Sequence, residues 1–302
     1  MKRKVIQLAG KTLVVSLPTE WARKYNIKKG DEIEIEEIKN KLIISPEKEL
    51  TKESISLDVS GLSPMIYRIL GAVYKAGYDE VEVRYETKRD LEEIEEVAMR
   101  EFIGFEIVRK GKNSVMMKGV SEIQHGEFDT MLRRTFLLIL EIAEEGFEAM
   151  KALDKKTLLK LVELDKEVNK YADFCRRSLN KRGYASFIKT PTIYFIVEEL
   201  EKVSDAYRDL CKETIELNKR LNDEIISLYE KVNVFFREFY ELYYKFDMNK
   251  LAEHGKKREE LIEALKNLMK KTSKDELLFL FLLSLIVEEI FNMNGALIAS
   301  KI

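Results

Sequence analysis

This sequence predicts a mainly helical chain in three parts, and three observations carry that reading. From Gly126 onward, apolar residues recur at three-and-four spacing with no intervening strand pattern. Between residues 52 and 120, short β-type runs alternate with two amphipathic stretches in the order β-α-β-α-β-β. The first 48 residues read instead as a lysine-rich β module around one short helix. With 302 residues, 45% apolar and 35% charged, the chain is long enough for two or three units, each with a core.

In the N-terminal module, Val5, Leu8, Leu13, Val15 and Leu17 alternate partially, as do Ile33 and Ile35 and the run Leu42, Ile43 and Ile44. These are strand patterns. Thr19 is placed to cap a helix over 20–25, and Gly30-Asp31 turns the chain into the next strand. A module this small buries little surface alone, so it is expected to fold with a second copy or with the rest of the chain. Its charge is uneven. Residues 1–29 hold eight Lys/Arg (Lys2, Arg3, Lys4, Lys11, Arg23, Lys24, Lys28, Lys29) against Glu20, a balance of +7. Residues 30–50 hold Lys39, Lys41 and Lys48 against seven acids, a balance of −4. The whole chain carries only −2, so the cationic stretch is local and points to a partner surface, unless the two signs are simply two solvated faces of one domain.

The middle segment reads as a strand at 55–59, a helix at 64–76, a strand at 77–85 after Gly77, a helix at 90–102, and strands at 105–108 and 114–117. It contains no glycine-rich phosphate loop and no nucleophile beside a base. No catalytic grouping is visible elsewhere either, so the chain is not expected to be an enzyme.

Six helices follow, at about 127–152, 154–181, 190–220, 223–246, 248–271 and 274–301. Gly183 ends the second. Thr190-Pro191 predicts a cap followed by a proline in the first turn, and Ser273 with Glu276 predicts a capping box. "IVEELEKVSDAYRDL" and "IVEEIFNMNGALIAS" align without gaps at an offset of 90 residues, each on the third helix of a group of three. Two tandem three-helix groups with short connections result.

On the first of these third helices, Ile193, Ile196, Leu200, Val203, Tyr207 and Leu210 form a buried stripe, and Glu201 and Asp205 lie together away from it. Like charges four residues apart repel by a few tenths of a kcal/mol. A bound cation, or Arg208 one turn on, would relieve that, although solvated carboxylates need neither. Asp165 and Asn169 repeat the spacing on the preceding helix, so oxygen ligands from two helices form a candidate surface metal site. Cys175 and Cys211 have no metal or redox spacing and read as reduced core thiols. His125 and His254 read as surface or capping residues. No charged n-region precedes an apolar stretch at the start, and the most apolar run, 277–287, is too short to span a bilayer and ends on Glu288 and Glu289. A cytoplasmic location with no membrane insertion is expected.

The stretch "ELEKVSDAYRDL" (199–210) resembles the signature of the PhoU family, whose tandem three-helix bundles carry a Glu-x-x-x-Asp motif. Glu201 and Asp205 match that motif. Asp165 and Asn169 match its partner on a neighbouring helix, with Asn169 departing from the usual acid. The resemblance covers roughly 126–302 and implies regulation of phosphate uptake, with surface iron, zinc or other metal clusters in some members. In the second repeat Phe291 and Gly295 stand for Glu201 and Asp205, and Gly255 and Glu259 for Asp165 and Asn169, so a second cluster is not expected.

"GKTLVVSLPTEWARKYNIKKGDEIEIE" (10–36) resembles the SpoVT/AbrB-type DNA-binding domain, with Leu17-Pro18, Arg23 and Gly30-Asp31 at its pattern positions. That family dimerises by interleaving strands of two chains, and some of its members serve only to dimerise. Carried over by residue, Arg3 and Lys4 hold the basic start of the first strand, Lys11 follows Gly10 at the turn, and Arg23 falls on the helix, with Lys24 beside it. The fusion looks like the archaeal arrangement of PhoU proteins. The expected fold is therefore an N-terminal swapped-hairpin β domain (1–50), a small α/β middle domain (51–122) and C-terminal tandem three-helix bundles (123–302, repeats at about 126–220 and 222–302).

The functional expectation is a homodimeric regulator of phosphate uptake that binds the promoter DNA of phosphate-transport genes through Arg3, Lys4, Lys11, Arg23 and Lys24. Its helical region would sense or dock a metal ion such as iron or zinc, held by Asp165, Asn169, Glu201 and Asp205, or a phosphate ABC transporter ATPase, or a signalling kinase. The alternative is an adaptor for such a transporter or kinase, its N-terminal domain only a dimer clamp.

Overall fold

The computed structural model describes residues 2–8, 10–38, 41–46, 52–120 and 127–302. His125 and the expected boundaries near 50 and 122 lie outside the described residues. The chain divides into two compact units, Met1–Glu53 and Ser54–Ile302.

The first unit is two hairpins around a short helix. β1 (Ile6–Leu8) pairs antiparallel with β2 (Thr12–Val14), Leu8 opposite Thr12. Gly10 turns between them at φ +78, a region other residues adopt only with strain, and Gln7 Nε2 donates to its carbonyl at 2.8 Å. α1 (Thr19–Lys24) follows; Thr19 is already inside the helix, and Pro18 precedes it with no side-chain cap. β3 (Ile33–Ile38) then pairs antiparallel with β4 (Lys41–Pro46).

The second unit begins with the α/β segment. Its elements are β5 (Ser54–Asp58), α2 (Ile66–Ala76), β6 (Glu80–Arg84), α3 (Lys88–Arg100), β7 (Phe105–Lys110) and β8 (Ser114–Gly119). The sheet order is β5-β6-β8-β7, with β5 parallel to β6 and the other pairs antiparallel. Val81, Val83, Val115 and Met117 alternate into the core against Ile66, Leu70, Tyr74, Ile94 and Val97 of the two helices. Tyr74 stacks on Phe102 at 4.4 Å and donates its hydroxyl to the Ile103 carbonyl at 2.9 Å. α3 starts two residues before the predicted position because Thr87 and Asp90 form a reciprocal capping box that sequence reading missed. Gly77 ends α2 in a left-handed conformation, at φ +98.

Six long helices complete the unit: α4 (Glu127–Ala152), α5 (Lys155–Arg182), α6 (Thr190–Leu217), α7 (Asp223–Tyr244), α8 (Met248–Met269) and α9 (Leu277–Lys301). They form two groups of three around one continuous apolar core. The stripe predicted on α6, from Ile193 to Leu210, is buried throughout. α6 and α9 share the longest helix interface and run antiparallel, with Lys189 Nζ at the start of α6 donating to the Ser300 carbonyl near the end of α9 at 2.6 Å. Gly146 lets α4 approach closely, since a Cβ there would lie 3.3 Å from both Cys211 Sγ and Tyr229 Oη. Cys175 and Cys211 are free and buried.

Among these six helices, the starts of α6 and α9 lack the caps expected. A 3₁₀ turn over Phe187–Lys189 leads straight into α6, so Thr190 is the first helical residue and its hydroxyl instead accepts the Tyr184 N–H at 2.8 Å. A second 3₁₀ turn, Lys274–Glu276, precedes α9; Glu276 leaves the helix end to bind Ser273 Oγ and the Asn222 N–H, so no capping box forms.

The α/β segment is fastened to α5. Arg177, buried at 4% exposure, donates to the Tyr74 carbonyl at 2.7 Å and lies over the rings of Tyr74 and Phe105 at 4.9 and 5.0 Å. Asp79 pairs with Lys181, and Asn180 Nδ2 donates to the Lys75 carbonyl at 2.8 Å. These contacts replace backbone hydration at the C-terminal end of α2, which is why the segment belongs to the same compact unit as the helices. No helix among the described residues is long and apolar enough to cross a membrane.

Candidate functional site

Two groups of residues were singled out by sequence, one in each unit. In Met1–Glu53 the five cations fall on three segments. Arg3 and Lys4 lead into β1, Lys11 follows Gly10 in the β1–β2 turn, and Arg23 and Lys24 occupy the last turn of α1. All five are exposed, and none forms an ion pair with another described residue. Arg23 and Lys24 also suit the carbonyl-rich end of a helix, and the Lys24 ammonium lies 5.3 Å from the Tyr25 ring centre. No hydrogen bond or ion pair among the described residues joins the three segments into one surface.

The apolar residues of this unit are its more telling feature. Val5, Ile6, Leu8, Leu13, Val15, Ile35 and Leu42 are 48 to 70% exposed, and no described residue of the unit is buried. Burying six or seven such side chains contributes roughly 1.5–3 kcal/mol each, and a single chain does not collect that stabilisation.

In the second unit, Asp165 and Asn169 on α5 face Glu201 and Asp205 on α6, but as two ion-pair clusters rather than one open site. Asp165, expected at the surface edge, is 2% exposed. It accepts the Ser204 hydroxyl at 2.6 Å and Arg208 Nη1 at 3.0 Å. Arg208 also pairs with Asp205 and with Asp209. Burial followed by the Asp165 charge pushes the Asp205 carboxyl up, and the Arg208 charge opposes both. Arg208 keeps its proton more firmly than usual: burial disfavours its charge, but Asp165 and Asp205 outweigh that.

Glu201 belongs to the other cluster. It pairs with Arg176 of α5, a guanidinium 2% exposed that also holds Asp173 at 2.6 Å and Glu198 at 2.8 Å. Burial raises the Glu201 pKa against the pull of Arg176. Lys75 of α2 reaches Asp173 at 3.3 Å, which ties this cluster to the α/β segment. Asn169 Oδ1 is buried without a hydrogen-bond partner among the described residues.

Of the two ways to relieve the acids left open by sequence, the structure takes the arginine. Three of the four donors are held by guanidinium groups, the fourth is an amide, and no three His, Cys, Asp or Glu side chains among the described residues come together as a metal-binding set. The donor set does not fit an iron or zinc ion. Arg176 was missed as a site residue. Its position three residues after Asp173, like Arg208 three after Asp205, was the readable signal.

His254, expected at the surface, is buried and stacks on Phe235 at 3.8 Å. Its Nε2 donates to the Phe235 carbonyl at 3.1 Å, and its Nδ1 accepts from Asn294 Nδ2 at 3.4 Å. A groove of about 520 Å³ opens beside it, lined by Arg133, Tyr240, Tyr244, Lys245, Lys250 and Lys257 among others.

Residues 6–52 match the family described as antidote-toxin recognition MazE, bacterial antitoxin. The N-terminal domain is thus of the MazE/AbrB-like type. No curated protein matches the sequence. The chain is similar to the crystal structure of the phosphate transport system regulatory protein PhoU from Streptococcus pneumoniae, at 15% identity and a TM-score of 0.49, over 58% of this chain and 93% of that one.

Proposed function

We propose that this protein is a homodimeric DNA-binding regulator of phosphate uptake, in which the N-terminal domains of two chains pair through their exposed strand residues and present their cations to the DNA backbone. The observation that carries the reading is the combination in one MazE/AbrB-like domain of a +7 stretch with a row of exposed apolar side chains. Pairing supplies the missing core, and the same act brings two copies of Arg3, Lys4, Lys11, Arg23 and Lys24 to one duplex. Their affinity would come from phosphate contacts and counterion release. The phosphate part of the reading rests on the likeness of 199–210 to the PhoU signature.

The test is a mobility-shift titration with the promoter of a phosphate-transport operon at several salt concentrations. Binding should weaken steeply with salt. Lys11→Glu combined with Arg23→Glu should lower affinity and flatten the salt slope by roughly four in a dimer, about one for each lost phosphate contact. Unchanged binding in the double variant would remove these residues from the interface. An adaptor that docks a transporter ATPase or kinase is the second reading, because exposed apolar strand residues favour pairing of two chains whether or not DNA is present. A dimer by sedimentation that shows no salt-dependent DNA binding would favour it.

A further inference from the structure

The 90-residue repeat has a consequence at the place where its two copies meet. Glu199 on α6 and Glu289 on α9 occupy the same repeat position, and in the antiparallel register fixed by Lys189 and Ser300 the two acids meet across the α6–α9 interface, where each perturbs the other's titration. Glu199 is 2% exposed. Its Oε1 accepts Lys202 Nζ at 2.6 Å, its Oε2 is buried without a hydrogen-bond partner within 3.5 Å among the described residues, and Asn292 lies close enough to contribute a weaker stabilising interaction. Glu289 Oε2 accepts Asn292 Nδ2 at 3.3 Å. The other acids nearby are committed elsewhere, Glu198 to Arg176 of α5 and Glu288 to Arg258 of α8.

Two facing carboxylates with one ammonium between them leave a negative charge in excess and an acceptor unsatisfied. One proton removes both defects: carried by Glu289, it is donated to Glu199 Oε2. We infer that Glu199 and Glu289 share a single proton that fastens the two bundles together along the α6–α9 seam, and that losing this proton loosens the seam.

The electrostatics agree in direction. Burial, and then the shared hydrogen bond and charge of Glu199, raise Glu289 to about 7. Burial alone would raise Glu199 too, but the hydrogen bonds with Glu289 and Lys202 outweigh it and leave its pKa lowered. A carboxyl whose folded-state pKa is raised stabilises fully below its unfolded value and ceases to do so as pH rises through the folded one. The window therefore runs from the ordinary glutamate range up to about 7.

Hydrogen exchange on the full chain tests this. After correction for intrinsic rates, protection of amides flanking Glu199 and Glu289 should fall about tenfold between pH 6 and pH 8 in the unaltered protein. Glu289→Gln keeps a donor but cannot titrate, so its protection should not change over that range. His254 titrates equally in both proteins and cancels from the comparison. If Glu289→Gln fails to fold, carboxyl ¹³C spectra of the unaltered protein and of Glu199→Gln decide. One glutamate titrating near neutrality, shifted in Glu199→Gln, supports the shared proton. The same pH response in Glu289→Gln, or glutamates that all titrate below pH 5.5, overturns it.

Discussion

The two three-helix groups share a core pattern and differ in how they join their second and third helices. In the first, Asp165 of α5 meets Ser204 of α6 in a buried hydrogen bond, with Arg208 completing the pair. Ninety residues on, Gly255 replaces Asp165 and Asn294 replaces Ser204, and the link moves one residue, to His254. Arg208 becomes Ile298 and Arg176 becomes Lys266. Glu201 becomes Phe291, and Arg258 lies over its ring at 5.0 Å while gripping Glu288. The apolar positions survive duplication because the core needs them. The polar ones diverge because any satisfied pair serves the fold. Buried acids and arginines, found among the described residues of α4–α9 only in the first group, are therefore a feature that packing does not demand.

The sharpest way to break the comparison is Asp165→Ala. It leaves a largely buried guanidinium and the Ser204 hydroxyl without their shared acceptor, and the expected loss is about 3 kcal/mol by urea denaturation. A change below 1 kcal/mol would mean that Arg208 simply turns to Asp205 and Asp209.

The second group should instead answer to acid. Burial holds the His254 imidazole below its ordinary pKa, against the hydrogen bond to Phe235. The unfolded chain then binds the proton first, so stability is intact above the unfolded value and falls as pH drops below it toward the folded one. That limb approaches about 1.4 kcal/mol per pH unit. His254→Phe, which keeps an aromatic ring against Phe235, should flatten it in melts between pH 7 and pH 5. An unaltered acid limb would assign the effect to other groups.

The smallest effect has the opposite sign at the matching repeat position. A Cβ at Gly255 meets nothing within 4 Å, and the residue is inside α8. Gly255→Ala should stabilise by about 0.5–1 kcal/mol. Destabilisation would show that Gly255 makes a close approach in the assembled protein.

Much of this architecture was legible because long amphipathic helices announce themselves: six periodic runs and a gapless repeat give the order of α4–α9. Local chemistry was harder to read. Thr190 and Ser273 looked like caps, yet 3₁₀ turns precede both helices and redirect Thr190 to Tyr184 and Glu276 to Asn222. Asp165 looked like a surface ligand because its own helix shows only spacing. Its burial is set by Ser204 and Arg208, forty residues away in the chain. His254 was misplaced for the same reason, since the aromatic face that covers it belongs to α7. Arg208 was legible as a rival to a metal, and deciding between them needed the positions of both helices.

The openness of the first unit has a quantitative implication for the living cell. In the proposed dimer, strands that gain their interior from a twin would order as two chains meet, so their folded fraction would climb with chain concentration.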